Sequence, residues 1–422
     1  MPLSDMGSKT RHSSFLHESG GVKRTVQRKR RGFEMKLWII GNGFDLYHGL
    51  KTSYADYKAF LCWSHACDFE KEWRLGHSWK QDLRWIVSRD CDKCSIHAKC
   101  PVWKFNELPR AKPKGDLWSD LEEACALDPY GLMDRPIGFV GGGDRGGLEG
   151  NAANALLHGD LDFAKPFTGY KFYEWLRKVD ASLPEKGKHL GIEEEDRFLT
   201  FNYTNTLHKT YKIPNWNILH VHGQLDDVEK ALGKIDELYR SISMNGIVHS
   251  CLLFGSAKEL TDSEINIAVE HYLETLEESK RSELREGLRN LLRTQMKSLT
   301  KDIKGRLSVM KNWVAKNCTG KSSPEEVVVA GHSLGRPDSH YFDYLAKEFN
   351  DRKWRFIYYR EDDRRKSEEF CEQRGLHGYY MPWRTAEFEH LQHLADSDVL
   401  RSDDDGNCAK PSRASGTLAP TP

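Results

Sequence analysis

A turn with two glycines follows an apolar stretch of the chain, and its residue types are suited to binding a phosphate group. The turn consists of Gly41, Asn42, Gly43, Phe44 and Asp45. Two glycines at a strand end let backbone N–H groups approach a phosphate, and a helix starting behind them favours its negative charge. Position 46 is Leu, so the Gly-x-Gly-x-x-Gly pattern of dinucleotide-binding turns is incomplete. A tight turn that binds no ligand is therefore an equally good interpretation of these residues.

A second candidate site follows the apolar run 197–201, where Asn202 and Thr204 come after an expected strand. In an open parallel sheet, polar residues at the carboxyl ends of strands face the ligand crevice. The Asn202 amide is suited to hold a ribose hydroxyl group or a water molecule. The alternative is a structural role, in which one of these two side chains caps the helix that follows.

Two histidines end another apolar run and offer either proton transfer or metal binding. His220 and His222 lie on the same side of the chain if residues 217–222 are extended, because strand side chains repeat every two residues. A metal ion would need further ligands, and the nearby sequence has none at suitable spacing. His222, next to Gly223, is better suited to be a general base, because an unperturbed imidazole has a pKa near ~6.5. A buried histidine bonded to a carbonyl group is the structural alternative.

The sequence Gly-His-Ser-Leu-Gly at 331–335 matches the nucleophile elbow of serine esterases and follows an apolar run. Gly331 and Ser333 could therefore belong to a serine hydrolase. Pro337 weighs against this chemistry, because it disfavours a helix that starts directly after the serine. Little sheet is expected to hold the catalytic histidine, which would have to be His377, His390 or His393.

Six apolar runs are expected to form the strands that position these residues: 36–40, 197–201, 217–221, 251–254, 326–330 and 355–359. Their Ile, Val, Phe and Leu residues do not alternate strictly with polar ones, which is typical of strands covered on both faces. Glycine turns and helical patterns follow several of them. This alternation predicts an α/β fold with a doubly wound, mostly parallel, Rossmann-like sheet.

Two long helical insertions interrupt the predicted sheet, at about 55–190 and 225–320, within a single domain that covers 35–398. The first insertion opens with a helix after the capping pattern Ser53-x-x-Asp56. The second holds a charged helix pair at about 264–312, whose leucine spacing predicts ordinary core packing. The basic segment 1–34 and the segment 399–422 are expected to be disordered tails, with Met35 as an alternative start.

The composition of the chain argues against several classes of protein. Its 422 residues carry 63 Lys and Arg against 63 Asp and Glu, so no global charge attracts nucleic acid or an anionic membrane. No apolar run approaches the ~20 residues that span a bilayer, and no secretory signal is recognisable. The 10 cysteines therefore predict reduced thiols in a cytoplasmic protein. Cys91, Cys94 and Cys100 offer a zinc-like spacing without a second Cys-x-x-Cys pair, so no metal is expected.

Taken together, the motifs resemble those of AbiH proteins, bacterial proteins associated with abortive infection, in which an infected cell halts phage production. The resemblance covers roughly 35–390 and keeps the order of the family. It is carried by the segments 40–54, 118–122, 199–204, 220–223 and 331–335. The resemblance implies an antiphage protein that responds to a phage-derived trigger, and it leaves the oligomeric state open.

A more distant likeness is to sirtuin-type NAD-binding domains, which carry a Gly-x-Gly turn, an Asn strand end, His-Gly and Gly-x-Ser in this order. The likeness implies NAD or a related nucleotide as the ligand. Asn202 would position the nicotinamide ribose or the attacking water, His222 would be the base, and Ser333 would bond the adenosine-side ribose. The sirtuin Asp two residues after the Asn is replaced by Thr204 here. The sirtuin zinc ribbon is also not recognisable, which argues against a protein deacetylase.

Glycosidic cleavage of NAD needs little covalent help, because the cationic nicotinamide is already a good leaving group. The site must hold the ribose, stabilise an oxocarbenium-like state and place a water molecule. Asn202 and His222 are adequate for these tasks, and Asp45 could add negative charge near the sugar. The sequence thus predicts an antiphage protein with a nucleotide pocket that hydrolyses NAD. The alternatives are a serine hydrolase that uses Ser333 and a non-catalytic nucleotide sensor that switches partners.

Overall fold

The computed structural model describes residues 34–69, 118, 122, 169–188, 190–235, 244, 246–248, 250–253, 261–274, 278–298 and 300–387. In this part of the chain, six parallel strands form one sheet in the order β3-β2-β1-β4-β5-β6. The strands are β1 (Lys36–Ile40), β2 (Arg197–Thr200), β3 (Ile218–His220), β4 (Glu326–Ala330), β5 (Lys353–Tyr358) and β6 (His377–Pro382). The predicted α/β class with a parallel sheet is confirmed, and the strand order is that of Rossmann-type sheets.

Helices connect the strands, and their labels here number the helices of the described residues. They are α1 (Asn42–Tyr47), α2 (Tyr54–Phe69), α3 (Tyr170–Asp180), α4 (Thr206–Tyr211), α5 (Leu225–Leu232), α6 (Asp262–Glu274), α7 (Glu278–Ser298), α8 (Ile303–Asn317), α9 (Ser339–Glu348) and α10 (Glu361–Arg374). The predicted cap of α2 is present. The Ser53 N–H donates to Asp56 Oδ2 at 3.0 Å, and the Asp56 N–H donates to Ser53 Oγ at 3.0 Å. This reciprocal pair satisfies two backbone donors at the helix start.

The sheet is covered on both faces, as a doubly wound fold requires. In β1, Leu37 and Ile39 belong to a core cluster that includes residues of α8, α9 and α10. Trp38 and Ile40 belong to a second cluster, on the opposite face, with residues of α1 and α4. All four side chains are at most 1 % exposed, and each fully buried apolar side chain stabilises the fold by ~1.5–3 kcal/mol.

A third core cluster joins parts of the two insertions. Tyr57 of α2, Phe172 and Trp175 of α3, and Val228 of α5 are buried together with their neighbours. Apolar packing therefore fixes α2, α3 and α5 against one another beside the sheet. The described helices α2, α3 and α5 are therefore part of the same folded unit as the strands.

Four sequence-based expectations need correction or lie outside the described residues. The run 251–254 is not a strand, since Cys251 ends a helical segment in which the Leu252 N–H donates to Val248 O at 2.8 Å. The sixth strand is β6 instead, and it was not predicted. The expected helix pair at about 264–312 is three helices, α6, α7 and α8. The predicted tails, apart from Glu34, and the cysteines of the zinc-like spacing fall outside the described residues.

Candidate functional site

The glycine turns after β1 and β4 interlock at the point where the sheet order reverses. The Gly41 N–H donates to Ala330 O at 3.0 Å, and the Gly43 N–H donates to Gly331 O at 2.7 Å. A Cβ on Gly41 would lie 2.5 Å from His332 Cα, and Gly331 has a φ of +67°. The glycines therefore allow two backbones to touch. Because the Gly43 N–H is used inside the protein, it is not the phosphate donor that the sequence pattern predicts.

Other main-chain donors at the same crossover remain open. Within the described part of the chain, the N–H groups of Asn42, His332 and Ser333 donate to no backbone or side-chain acceptor. All three residues line one cavity at the carboxyl edge of the sheet. Unbonded N–H groups on residues that line a cavity favour an anion there, and ligands of open parallel sheets bind where the strand order reverses.

This cavity has a volume of about 960 Å³ and collects nearly all the predicted site residues. Those that line it are Gly41, Asn42, Gly43, Asp45, Asn202, Thr204, His222, Gly331 and Ser333. Phe44 differs, because its side chain is buried in the core and contacts the rings of His48, Tyr211 and Trp383. Residues separated by almost 300 positions in sequence therefore share one crevice, as the register of β1, β2 and β4 requires.

Asn202 connects the first glycine turn to the neighbouring strand end. Its Nδ2 donates to Gly41 O at 3.0 Å, and its side chain is also hydrogen-bonded to Asp45. Its Oδ1 accepts no hydrogen bond from any described residue. Asn202 is only 6 % exposed and lines the cavity, so this oxygen is the group that could accept a ligand hydroxyl.

Asp45 is a buried carboxyl group held by two hydroxyl groups. Thr204 Oγ1 donates to Asp45 Oδ2 at 2.6 Å, and Thr206 Oγ1 donates to Asp45 Oδ1 at 2.8 Å. Burial raises the pKa of Asp45 to about 6, although the hydrogen bonds from Thr204, Thr206 and Asn202 oppose this shift. Thr204 thus binds Asp45 and does not cap α4, whose N-cap is Asn205.

The two histidines after β3 have different partners. The strand ends at His220, and His222 lies in a turn followed by Gly223 with a φ of +88°. His220 Nδ1 is 3.0 Å from Asn202 O, whereas His222 Nε2 is 3.0 Å from Asp338 Oδ1. The expected extended segment 217–222 is therefore wrong at its end. Among the described residues, no group of three or more His, Cys, Asp or Glu could hold a metal ion.

Behind His222 lies a network of buried charges that the sequence analysis missed. Lys301 Nζ is 2.8 Å from Glu122 Oε1 and 3.1 Å from Asp338 Oδ1, and its side chain is fully buried. Burial alone would lower the pKa of Lys301, but the two carboxylates outweigh it and the pKa is raised. Burial alone would raise the pKa of Asp338, but Lys301 and His222 hold it well below its usual range. Lys301 and Asp338 are therefore both charged at neutral pH.

Asp338 also determines how the two nearby imidazoles are protonated. The Leu334 N–H donates to His332 Nδ1 at 3.0 Å, so the His332 proton is on Nε2, which is 3.4 Å from Asp338 Oδ2. Burial lowers the pKa of His222 to about 4, with Lys301 acting in the same direction and Asp338 opposing it. His222 is therefore neutral at pH 7. An Nε2–H directed at Asp338 leaves the lone pair on His222 Nδ1, which has no partner in the described part of the chain.

The surroundings of Ser333 do not form a nucleophile elbow. Positive φ values occur at Gly331 and Leu334, not at the serine, and the next α-helix begins only at Ser339. No described histidine forms a hydrogen bond with Ser333 Oγ. His377 begins β6 and pairs with Lys353, the first residue of β5. It therefore lies at the amino ends of the strands, whereas Ser333 follows the carboxyl end of β4. His390 and His393 fall outside the described residues.

These features define a Rossmann-type α/β protein with a cavity at the reversal point of its sheet. The chain belongs to the AbiH family: the family whose sequence model matches residues 37–359 is described as "Bacteriophage abortive infection AbiH". This description associates the chain with abortive infection of phage-infected cells. A search of curated proteins found no match. The likeness to sirtuin-type domains receives no support from these comparisons and stays a prediction.

None of the helices in the described ranges combines the length and the apolar character needed to cross a membrane.

Proposed function

We propose that the cavity binds an NAD-type dinucleotide and that the protein hydrolyses its nicotinamide glycosidic bond, as the toxic step of an abortive-infection response. The observation that carries this proposal is the convergence of two sets of groups on one cavity. Open N–H groups of Asn42, His332 and Ser333 meet the strand-end side chains of Asn202 and His222 there.

The phosphates are expected at the N–H groups of Asn42, His332 and Ser333, because these groups lie at the crossover of β1 and β4 and bond to no acceptor in the described ranges. Ser333 would contact the ribose on the side of β4. The nicotinamide ribose then reaches Asn202, whose Oδ1 accepts a ribose hydroxyl group. Each charge-assisted bond to a phosphate contributes roughly 1.5–3 kcal/mol, so three such donors are a substantial part of nucleotide affinity.

The charges around the cavity suit the reaction. Asp338 is ionised at neutral pH, and Asp45 adds a second negative charge above pH 6. Negative charge near the sugar stabilises an oxocarbenium-like state, which forms as the C1′–N bond breaks. The bonding electron pair moves to the nicotinamide nitrogen. The oxygen of water bonds to C1′, and His222 Nδ1 accepts a proton from that water, which yields nicotinamide and ADP-ribose.

Incubation of the purified full-length protein with NAD tests the proposal, with released nicotinamide measured by chromatography. We expect release by the wild type and a loss of at least 100-fold in both Asn202→Ala and His222→Ala. Ser333→Ala is the matched comparison, since it removes one ribose contact and should raise KM several-fold while kcat changes little. Release that persists in both Asn202→Ala and His222→Ala would remove the hydrolase proposal. Binding of NAD without turnover would favour a nucleotide sensor, and labelling of Ser333 by a fluorophosphonate would favour a serine hydrolase.

A further inference from the structure

The cavity extends past the crossover of β1 and β4 to the carboxyl ends of β5 and β6. We call this part, lined by Tyr359, Arg360 and Arg384, the arginine end of the cavity. Tyr358 of β5 pairs with Pro382 of β6, and each arginine comes two residues after that pair. Neighbouring strands lie about 4.7–4.9 Å apart, so the two arginines leave the sheet from adjacent points.

The guanidinium groups of Arg360 and Arg384 are not used inside the described part of the protein. Neither group donates to an acceptor or forms an ion pair with a residue in these ranges. All the other arginines of these ranges, from Arg177 to Arg374, interact with a carboxylate, a carbonyl group or another partner. The planar guanidinium group matches the geometry of a phosphate and binds it through two parallel hydrogen bonds. Two such groups on one cavity therefore favour a phosphate there.

The charged groups around the cavity are divided between its two ends. Asp45 bonds to a threonine that follows β2, and Asp338 bonds to His222, which follows β3. At the arginine end, Asp363 is the one carboxyl group among the described residues around the cavity, and its Oδ2 accepts the Arg360 N–H at 3.1 Å. A ligand that fits this distribution has a cation at one end and an anion at the other.

From this distribution, and resting on the proposed function, we propose that the preferred dinucleotide carries a phosphate monoester on its adenosine ribose, the group that distinguishes NADP from NAD. With the nicotinamide ribose beside Asn202 and His222, the strand order directs the adenosine half towards β5 and β6. Arg360 and Arg384 then donate to the additional phosphate, while the cationic nicotinamide lies at the other end. Tyr359 is 76 % exposed, so its ring is accessible for stacking with the adenine.

Calorimetric titration of the full-length protein with adenosine 2′,5′-bisphosphate and with 5′-AMP tests the arginine end without turnover, because neither nucleotide contains the bond that the proposed reaction breaks. We expect the bisphosphate to bind at least roughly tenfold more tightly, since hydrogen bonds between guanidinium and phosphate are charge-assisted. Arg360→Gln and Arg384→Gln should each reduce this preference by about five- to tenfold, while the affinity for 5′-AMP changes less than about twofold.

Arg365→Gln is the matched control, because it removes the same charge from α10 but Arg365 pairs with Asp362 and does not line the cavity. The preference for the bisphosphate should not change in this variant, and thermal melting will show that each variant is folded. Equal affinity of the wild type for the two nucleotides overturns the proposal. A preference that persists in folded Arg360→Gln and Arg384→Gln, or that falls equally in Arg365→Gln, overturns it as well.

Nicotinamide release from NADP and from NAD separates this proposal from the proposed function. We expect kcat/KM of the wild type to be at least roughly tenfold higher for NADP. Equal values would leave the hydrolase standing and overturn the preference for the additional phosphate. If the two arginines determine the preference for the bisphosphate but neither dinucleotide is cleaved, the arginine end stands as a phosphate site and the hydrolase proposal fails.

Discussion

His222 Nε2 and Asp338 Oδ1 lie 3.0 Å apart and join the turn after β3 to the segment after β4. Both side chains are buried, and the Lys301 ammonium contacts both of them. A carboxylate that accepts the Nε2–H of an imidazole fixes its tautomer and supports a positive charge that forms on the ring. In the proposed reaction, Asp338 is therefore a positioning residue for His222.

Replacing Asp338 by Asn should separate this role from ligand binding. Asp338→Asn keeps the size of the side chain but removes the charge that supports protonated His222. We expect kcat for nicotinamide release to fall by roughly 100-fold or more, while KM for NAD changes only a few-fold. Steady-state kinetics at pH 7 will measure both constants. Unchanged kcat in the folded variant would show that Asp338 does not assist His222.

The pKa of Asp45 predicts that the wild type loses stability as the pH rises from about 4 to 6 and that Asp45→Asn lacks this loss. The pKa is about 6 in the folded protein against 3.8 ordinarily, so between these values the folded state binds more protons than the unfolded state. The contribution of Asp45 is therefore present at low pH and is lost as the pH rises from about 4 to 6. The free energy of unfolding of Asp45→Asn should thus rise relative to wild type by about 3 kcal/mol over this window. Urea denaturation at pH 4 and pH 7 will measure it, and a constant difference would contradict the buried, high-pKa carboxyl group.

Because the two glycine turns interlock, replacing a glycine of these turns by alanine should destabilise the protein, whereas the same replacement at a glycine surrounded by open space should not. Gly41→Ala places a Cβ 2.5 Å from His332 Cα and 2.6 Å from Gly331 O, so the turns must separate. We expect the free energy of unfolding to fall by about 2–3 kcal/mol. Gly287→Ala is the control, because a Cβ there meets nothing within 4 Å and the residue lies inside α7, where alanine should stabilise by about 0.5–1 kcal/mol. Equal effects of the two substitutions would mean that the turns do not touch.

Lys301→Met should strongly destabilise the protein, because Lys301 forms ion pairs with two buried carboxylates. The substitution leaves the carboxylates of Glu122 and Asp338 buried without the ammonium group between them. Removing one partner of a buried ion pair costs about 3–5 kcal/mol. The double variant Lys301→Met with Glu122→Gln should recover part of that loss, because one uncompensated charge is removed. Chemical denaturation will measure the free energy of unfolding of both variants. A double variant that loses the sum of the losses of its two single substitutions would contradict a coupled network.

Sequence patterns located the parts of the site that follow strands. The apolar runs that became β1 and β4 are continuous and end in glycine turns, and Asn202 and His222 follow β2 and β3 directly. Parallel pairing then brings all four strand ends to one edge, so the convergence follows from the fold class alone. Phe44 shows the limit of this reasoning, since a residue inside the turn can face the core.

The other features of the fold and of the site have no recognisable pattern in the local sequence. β6 is an edge strand in which exposed and half-buried residues dominate, so it lacks the apolar run typical of a covered strand. Within the run 251–254, Cys251 and Leu252 pack into the core cluster of α2, α3 and α5, and in sequence such burial looks the same as that of a strand. Glu122, Lys301 and Asp338 meet only through tertiary structure, across 179 and 37 positions. Glu122 lies in the segment 118–122 that carries the family resemblance, but nothing in one sequence pairs it with Lys301 or Asp338.

A crystal structure of the full-length Asn202→Ala, His222→Ala double variant with NAD tests the central claim most directly, because such a variant should bind the dinucleotide without cleaving it. The account predicts phosphate oxygens within hydrogen-bond distance of the Asn42, His332 and Ser333 N–H groups, with the nicotinamide ribose beside positions 202 and 222. A dinucleotide bound away from the β1/β4 crossover, or a cavity that stays free of it at saturating NAD, would contradict the account.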